Sequence, residues 1–123
     1  MKKIYSLKKK SEIDAIFNKR QSVGNQYFVL YYDKQTQINF RFCLSIGTKY
    51  GNAVCRNKIK RQIRSIIKEN MLGLNFDFVI VIKPNSNQLD FKTIKKEIEY
   101  LFKKQKERNQ KWQNIIKNFY YFL

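Results

Sequence analysis

The densest chemistry in the sequence lies between residues 51 and 64, which read Gly-Asn-Ala-Val-Cys-Arg-Asn-Lys-Ile-Lys-Arg-Gln-Ile-Arg. On a helix at about 100° per residue, Cys55, Ile59, Ile63, Ile66 and Ile67 fall in one arc of roughly 120°, the width of a core-facing stripe. Asn57, Lys60, Arg61, Arg64 and Lys68 fall in an adjacent arc of about 100°, and Arg56 lies on the border between the two. No carboxylate stands between Gly51 and Lys68. A solvated helix normally interleaves Glu with its Lys at i, i+4, as the last helix of this chain does with Glu97 and Glu99. The middle segment presents an uncompensated cationic ridge instead. Arg carries a planar fork that grips phosphate at two points, which Lys does not. The arginines are Arg20, Arg41, Arg56, Arg61, Arg64 and Arg108, so three of them cluster in this one segment. A ridge of this kind fits the phosphates of structured RNA or DNA.

Aromatic residues add a second element. Phe17, Tyr27, Phe28, Tyr31, Phe40 and Phe42 cluster early in the chain. Most belong to the core. A few on an exposed sheet face beside a helix would form a cleft in which unpaired bases stack.

The composition sets bounds on these readings. The chain has 123 residues, with 26 Lys plus Arg against 9 Asp plus Glu, a net charge of +17 and no histidine. One compact domain is expected at this length. The 43% hydrophobic fraction suffices for a core and excludes a disordered basic tail. The charge points to a polyanionic partner. Lys, Asn, Ile, Phe and Tyr are abundant, however, as an AT-rich coding sequence imposes on any protein, so the distribution of the charge says more than its total. Without histidine the commonest general base and zinc ligand are missing. Cys43 and Cys55 cannot fill a four-ligand zinc site, and both read as small buried apolar residues. The acidic residues Asp14, Asp33, Asp77 and Asp90 are scattered, with no clustered pair to hold Mg²⁺ as a protein nuclease needs. No catalytic residue and no metal ligand is therefore assigned. No apolar run approaches the roughly 20 residues of a membrane span. No apolar core of a signal peptide follows Met1-Lys2-Lys3, so the cytoplasm is the expected compartment.

The elements that must position these groups follow from periodicity. Ser11 reads as an N-cap for a helix over about 12–20, with Glu12 and Asp14 in its first turn and Ile13, Ile16 and Phe17 at helical spacing. Lys8, Lys9 and Lys10 precede it. Tyr27–Tyr32 reads as a strand, Asp33–Gln37 as a polar turn, and Phe40–Ile46 as a two-faced strand. The ridge helix spans about 53–69, with Gly73 past its end. Phe76–Ile82 reads as a central strand buried on both faces. Asp90 opens a long helix with Phe91, Ile94, Ile98, Leu101 and Phe102 as its stripe. After Arg108, Trp112, Ile115, Ile116 and Phe119 suggest a short amphipathic helix, which either covers the body or lies free. The fold is thus α+β, one domain over 1–108 and an aromatic tail over 109–123.

The segment Gly51-Asn52-Ala53-Val54, then Arg56-Asn57, Ile59-Lys60-Arg61 and Ile63-Arg64, resembles the Arg-Asn-Arg signature of the protein subunit of bacterial ribonuclease P. The resemblance extends over about residues 4–106 and takes in Leu7-Lys8-Lys9, Ser22-Val23, Asn25, Phe28–Tyr31, Phe42–Ser45, the strand at 78–82 and Lys83-Pro84. It implies an α/β sandwich in the order α-β-β(-β)-α-β-α, with a left-handed βαβ crossover. It also implies a ribonucleoprotein that removes the 5′ leader of precursor tRNA, in which the RNA subunit and its Mg²⁺ do the chemistry and the protein carries no cofactor. The implied partners are that RNA and the single-stranded leader, with no protein partner and no membrane. By resemblance, Asn52, Arg56, Asn57, Lys60, Arg61, Arg64 and Lys68 bind RNA. Ile13, Phe17 and Tyr31 line the leader cleft, and Lys8, Lys9, Lys10 and Lys49 add basic contacts. The family often has an aromatic where Ile13 stands, and Ser and Lys where Gly47 and Thr48 stand. The tail has no counterpart. Two other readings stand beside this one: a different structured-RNA binder such as a ribosomal component, and a stand-alone nuclease, which the scattered carboxylates disfavour.

Overall fold

The computed structural model describes residues 5–33 and 39–122, leaving aside the side chains of 112, 113, 116 and 119–122. The elements are α1 (Lys10–Asn18), β1 (Ser22–Gly24), β2 (Phe28–Tyr32), β3 (Phe42–Ile46), α2 (Ala53–Glu69), β4 (Phe78–Ile82) and α3 (Phe91–Phe122), with 3₁₀ turns at Thr48–Tyr50, Met71–Gly73 and Pro84–Gln88. The strands form one sheet in the order β1-β2-β4-β3. β1–β2 and β2–β4 are antiparallel and β3–β4 is parallel. A parallel neighbour needs a crossover, and α2 supplies it.

Alternation along the strands decides which layer each side chain joins. Phe28, Leu30 and Tyr32 of β2, Phe42 of β3, and Phe78, Ile80 and Ile82 of β4 point to one face. There they meet Ile59, Ile63, Ile66 and Ile67 of α2 and Ile94, Ile98, Leu101 and Phe102 of α3. The four α2 isoleucines are at most 1% exposed, each contributing about 1.5–3 kcal/mol by burial. The opposite face carries α1, seated through Leu7, Ile16 and Val79, with Ile13, Phe17, Tyr31 and Cys43 partly buried around them. The sheet is therefore a layer between helices, as the α+β reading expects.

Several boundaries differ from expectation. α1 starts at Lys10 rather than 12, and its N-cap is Lys9, which makes no side-chain cap. The buried Leu7 donates its amide to the Phe42 carbonyl at 2.9 Å, so the chain leaves the sheet edge and must turn into helix at once, leaving Ser11 inside. α1 ends because Arg20 adopts a left-handed backbone, φ 54°. β4 starts at Phe78, not Phe76, because pairing with β2 and β3 begins there. The residues after 108 are no separate helix. No Gly or Pro interrupts 89–123, so α3 runs unbroken to Phe122, and Ile115 on it is exposed. The turn expected over Asp33–Gln37 falls, from residue 34 on, outside the described residues. So do the side chains of Trp112, Ile116 and Phe119.

Candidate nucleic-acid interface

The ridge begins with its cap. Asn52 accepts the Cys55 amide on its side-chain oxygen at 2.9 Å, a placement that satisfies one of the orphan donors of the first turn. Gly51 makes this entry possible with φ 156°, a backbone region that L side chains rarely adopt. Sequence reasoning placed Asn52 among the RNA contacts, and the structure gives its oxygen to the helix.

From there the ridge and the inward stripe separate as the wheel predicts. Asn57, Arg61, Arg64 and Lys68 are exposed. Spaced over eleven residues, they span about 16 Å of helix. Arg56 and Lys60 are half-buried, and the Arg56 Nε is shielded from solvent with no hydrogen-bond partner among the described residues. Among those residues no ridge cation pairs with a carboxylate; the ion pairs are Lys19–Asp33, Arg41–Glu12, Arg41–Asp77 and Lys95–Glu69. One expectation fails here. Cys55 is exposed rather than buried, because the first turn of α2 carries no buried residue and the inward stripe starts only at Ile59.

The second face is a cleft. Strand register places Ser22, Tyr31, Val79 and Cys43 in one row across the sheet, and Gly24, Val29, Val81 and Ser45 in the next. α1 sits over the first row, where Val79 is fully buried and Tyr31 and Cys43 partly so. The second row stays open: Val29 and Val81 are half-buried, and Gly24 and Ser45 exposed. Its side chains are small, so the sheet surface beside α1 is a shallow trough. Phe17 and Tyr31 stand at its wall, edge to face with ring centroids 4.8 Å apart, and Ile13 packs beside them. The three cleft residues named from sequence are thus brought together. The floor row was missed, because register across four strands is not written in any one strand.

On β3, burial pushes the Cys43 thiol up, and the Lys60 ammonium opposes that shift. Lys8, Lys9 and Lys10 are exposed just after Leu7, which is bonded to the same strand at Phe42. Lys49 is exposed on the turn before Gly51.

The carboxylates are held elsewhere. Glu97 accepts the Asn25 amide at 2.8 Å and Glu99 the Asn70 amide at 3.0 Å. These two acids dock α3 onto the body, where the sequence suggested pairing with neighbouring lysines, because the i, i+4 spacing does not show which way a side chain turns. Asp90 caps α3, accepting the Thr93 amide at 2.8 Å, and the Thr93 side-chain hydrogen bond, with this amide beside it, holds its carboxyl below the usual value. Among the described residues no three of His, Cys, Asp and Glu converge as a metal site, and no helix is long and apolar enough to cross a membrane.

Comparison with known proteins bears on the family and the fold. The family model for ribonuclease P matches residues 1–106. The ribonuclease P protein component of Acholeplasma laidlawii is 42% identical over 116 residues, covering 93% of this chain and all of that protein. That of Bacillus cereus is 40% identical over 107 residues, covering 85% and 93%. Among solved structures, a mutant RNase P protein of Staphylococcus aureus superposes with a TM-score of 0.78 at 34% identity, covering 85% of this chain and 90% of that one. The RNase P protein of Thermotoga maritima gives 0.73 at 28%, covering 80% and 96%.

Proposed function

The chain belongs to the ribonuclease P protein family, and from that premise we propose that it is the RNA-binding component of ribonuclease P, acting in the cytoplasm on precursor tRNA. The observation that carries the reading is a carboxylate-free arginine ridge on α2 together with an open sheet row, on the opposite face, walled by Phe17 and Tyr31.

The two surfaces have different tasks. The ridge of α2 binds the folded catalytic RNA. Arg61 and Arg64 grip phosphates as forks, and Lys68 and Lys60 act as point charges. The buried, unpartnered Arg56 Nε is a donor that a phosphate or base edge satisfies on binding. Asn57 offers its amide beside them. The trough takes the single-stranded 5′ leader, whose backbone passes over Gly24, Val29, Val81 and Ser45 while a base stacks against Tyr31 or Phe17. Lys8, Lys9, Lys10 and Lys49 add attraction for the same strand.

Hydrolysis is the task of the RNA partner and its bound Mg²⁺. The protein's carboxylates support this division. Glu12 and Asp77 are held by Arg41, Asp33 by Lys19, and Asp90 by an α3 amide, so they are not free to gather around a divalent ion. The protein contributes by orientation, holding the leader beside the catalytic RNA so that the scissile phosphate is presented to that RNA.

One experiment tests the proposal. Purified protein, the cognate catalytic RNA and precursor tRNA are combined at low Mg²⁺. The mixture is expected to cut at the mature 5′ end, and protein alone to be inert. Cleavage by protein without RNA overturns the accessory role.

A further inference from the structure

We propose that Arg41 is a positioning residue that sets the width of the single-strand cleft, by tying α1 to the strand that forms its floor; the inference rests on the cleft reading above. α1 is weakly seated. It has nine residues and buries only Ile16 fully, and a helix this short has little stability of its own. Its apolar seat on Leu7 and Val79 is supplemented by ionic ties at both ends. The Arg41 Nη1 pairs with Glu12 Oε2 of α1 at 2.7 Å. Its Nη2 donates to Asp77 Oδ2 at 2.8 Å and its Nε to Asp77 Oδ1 at 3.4 Å. The Arg41 amide adds a bond to Asp77 Oδ1 at 3.0 Å. Asp77 stands one residue before β4, which carries Val79 and Val81 of the two sheet rows. One guanidinium therefore connects wall and floor.

The other end of α1 is held in the same manner. The Lys19 ammonium pairs with Asp33 Oδ2 at 2.7 Å, and the Asp33 amide donates to the Asp77 carbonyl at 2.9 Å. Both ties lead to Asp77, which is 7% exposed. The Arg41 side chain is less shielded, 40% exposed against 10% for Asp77, so the α1 half of the clamp is the adjustable half. Bridging two carboxylates on different elements needs a planar fork with several fixed donors, which Arg has and Lys lacks. This explains why one of the few arginines stands away from the ridge.

The consequence is selective. Loosening the Glu12 tie lets α1 drift from the trough and displaces Phe17, while the α2 ridge, on the other side of the sheet, is untouched. The test uses the assembled complex of protein and catalytic RNA. Affinities for precursor and mature tRNA are measured for the wild type, Glu12→Gln and Arg41→Lys, alongside assembly with the catalytic RNA and thermal melting. Both variants are expected to lose about fivefold of the precursor-over-mature preference, the scale of one misplaced stacking contact, with assembly unchanged. Glu12→Gln also raises the net positive charge. A general electrostatic effect would tighten both tRNAs, so loss of preference runs against it. If the variants melt earlier but keep the full preference, Arg41 is only structural and the inference falls. If the wild type itself shows no preference for precursor, the cleft reading falls, and this inference with it. Should Glu12→Gln not fold, Arg41→Lys, which keeps the charge, gives the same readout.

Discussion

Two basic helices, α2 and α3, lie side by side on one face of the sheet and use charge in opposite ways. α3 is lysine-rich, but its Glu97 and Glu99 carboxylates, with Lys95 and Arg108, work inward on the fold. Asp90 caps it, Glu97 and Glu99 receive the Asn25 and Asn70 amides, Lys95 pairs with Glu69, and Arg108 donates to the Ser22 carbonyl at 2.7 Å. α2 takes part only at its C-terminal end, where Glu69 pairs with Lys95 and the C-cap Asn70 donates to Glu99. Its Arg61 and Arg64 are exposed, and none of its arginines has a carboxylate partner among the described residues. Net charge does not separate the two helices; where the carboxylates stand does. A cation already held by a carboxylate has little to give a phosphate, whereas an unpaired one releases counterions when RNA binds.

The largest effect expected concerns what the two helices share. Ile63→Ala removes a side chain that is 0% exposed between α2 and the sheet and should cost about 2–5 kcal/mol, read by chemical denaturation. A cost near zero would mean that α2 is not packed as described. Next comes the difference itself. Arg61→Glu gives α2 the carboxylate it lacks, and RNA affinity should fall about tenfold or more. The slope of log affinity against log salt should also fall by about one to two phosphates' worth. An unchanged slope would place the ridge in solvent and erase the contrast with α3.

Tyr31→Ala probes the other side of the sheet. It should cost precursor tRNA about 1–3 kcal/mol of affinity and mature tRNA far less; equal losses would make Tyr31 a core residue. The smallest effect is expected on α3. Lys92, Lys96 and Lys103 surround the exposed Tyr100, and replacing all three with Gln should leave the salt slope within about half a phosphate of wild type. A full three-phosphate loss would show that α3 is a second RNA surface and that the comparison is wrong.

Much of this was legible beforehand because helices report themselves locally. The 3.6-residue period sorted isoleucines from arginines on α2, and the structure changed only the first turn, where Cys55 is exposed. The family resemblance singles out Phe17 and Tyr31 for the cleft; the residues alone place them in a group of six aromatics, most of which belong to the core. What stayed hidden was pairwise. Glu97 and Glu99 looked like partners for neighbouring lysines, and no local pattern gave Arg41 a task. Only the tertiary fold brings Glu12 and Asp77 each within 3 Å of Arg41.

By itself the sequence determined the helix faces, the alternation of the strands and the unbalanced charge of α2, since each depends on a residue and its neighbours within a few positions. Tertiary structure alone decided the open row Gly24–Val29–Val81–Ser45, the packing of Phe17 against Tyr31, and the clamp at Arg41. Each of these requires elements apart in sequence to meet, and the register at which strands meet is set by global packing of both sheet faces rather than by any local preference.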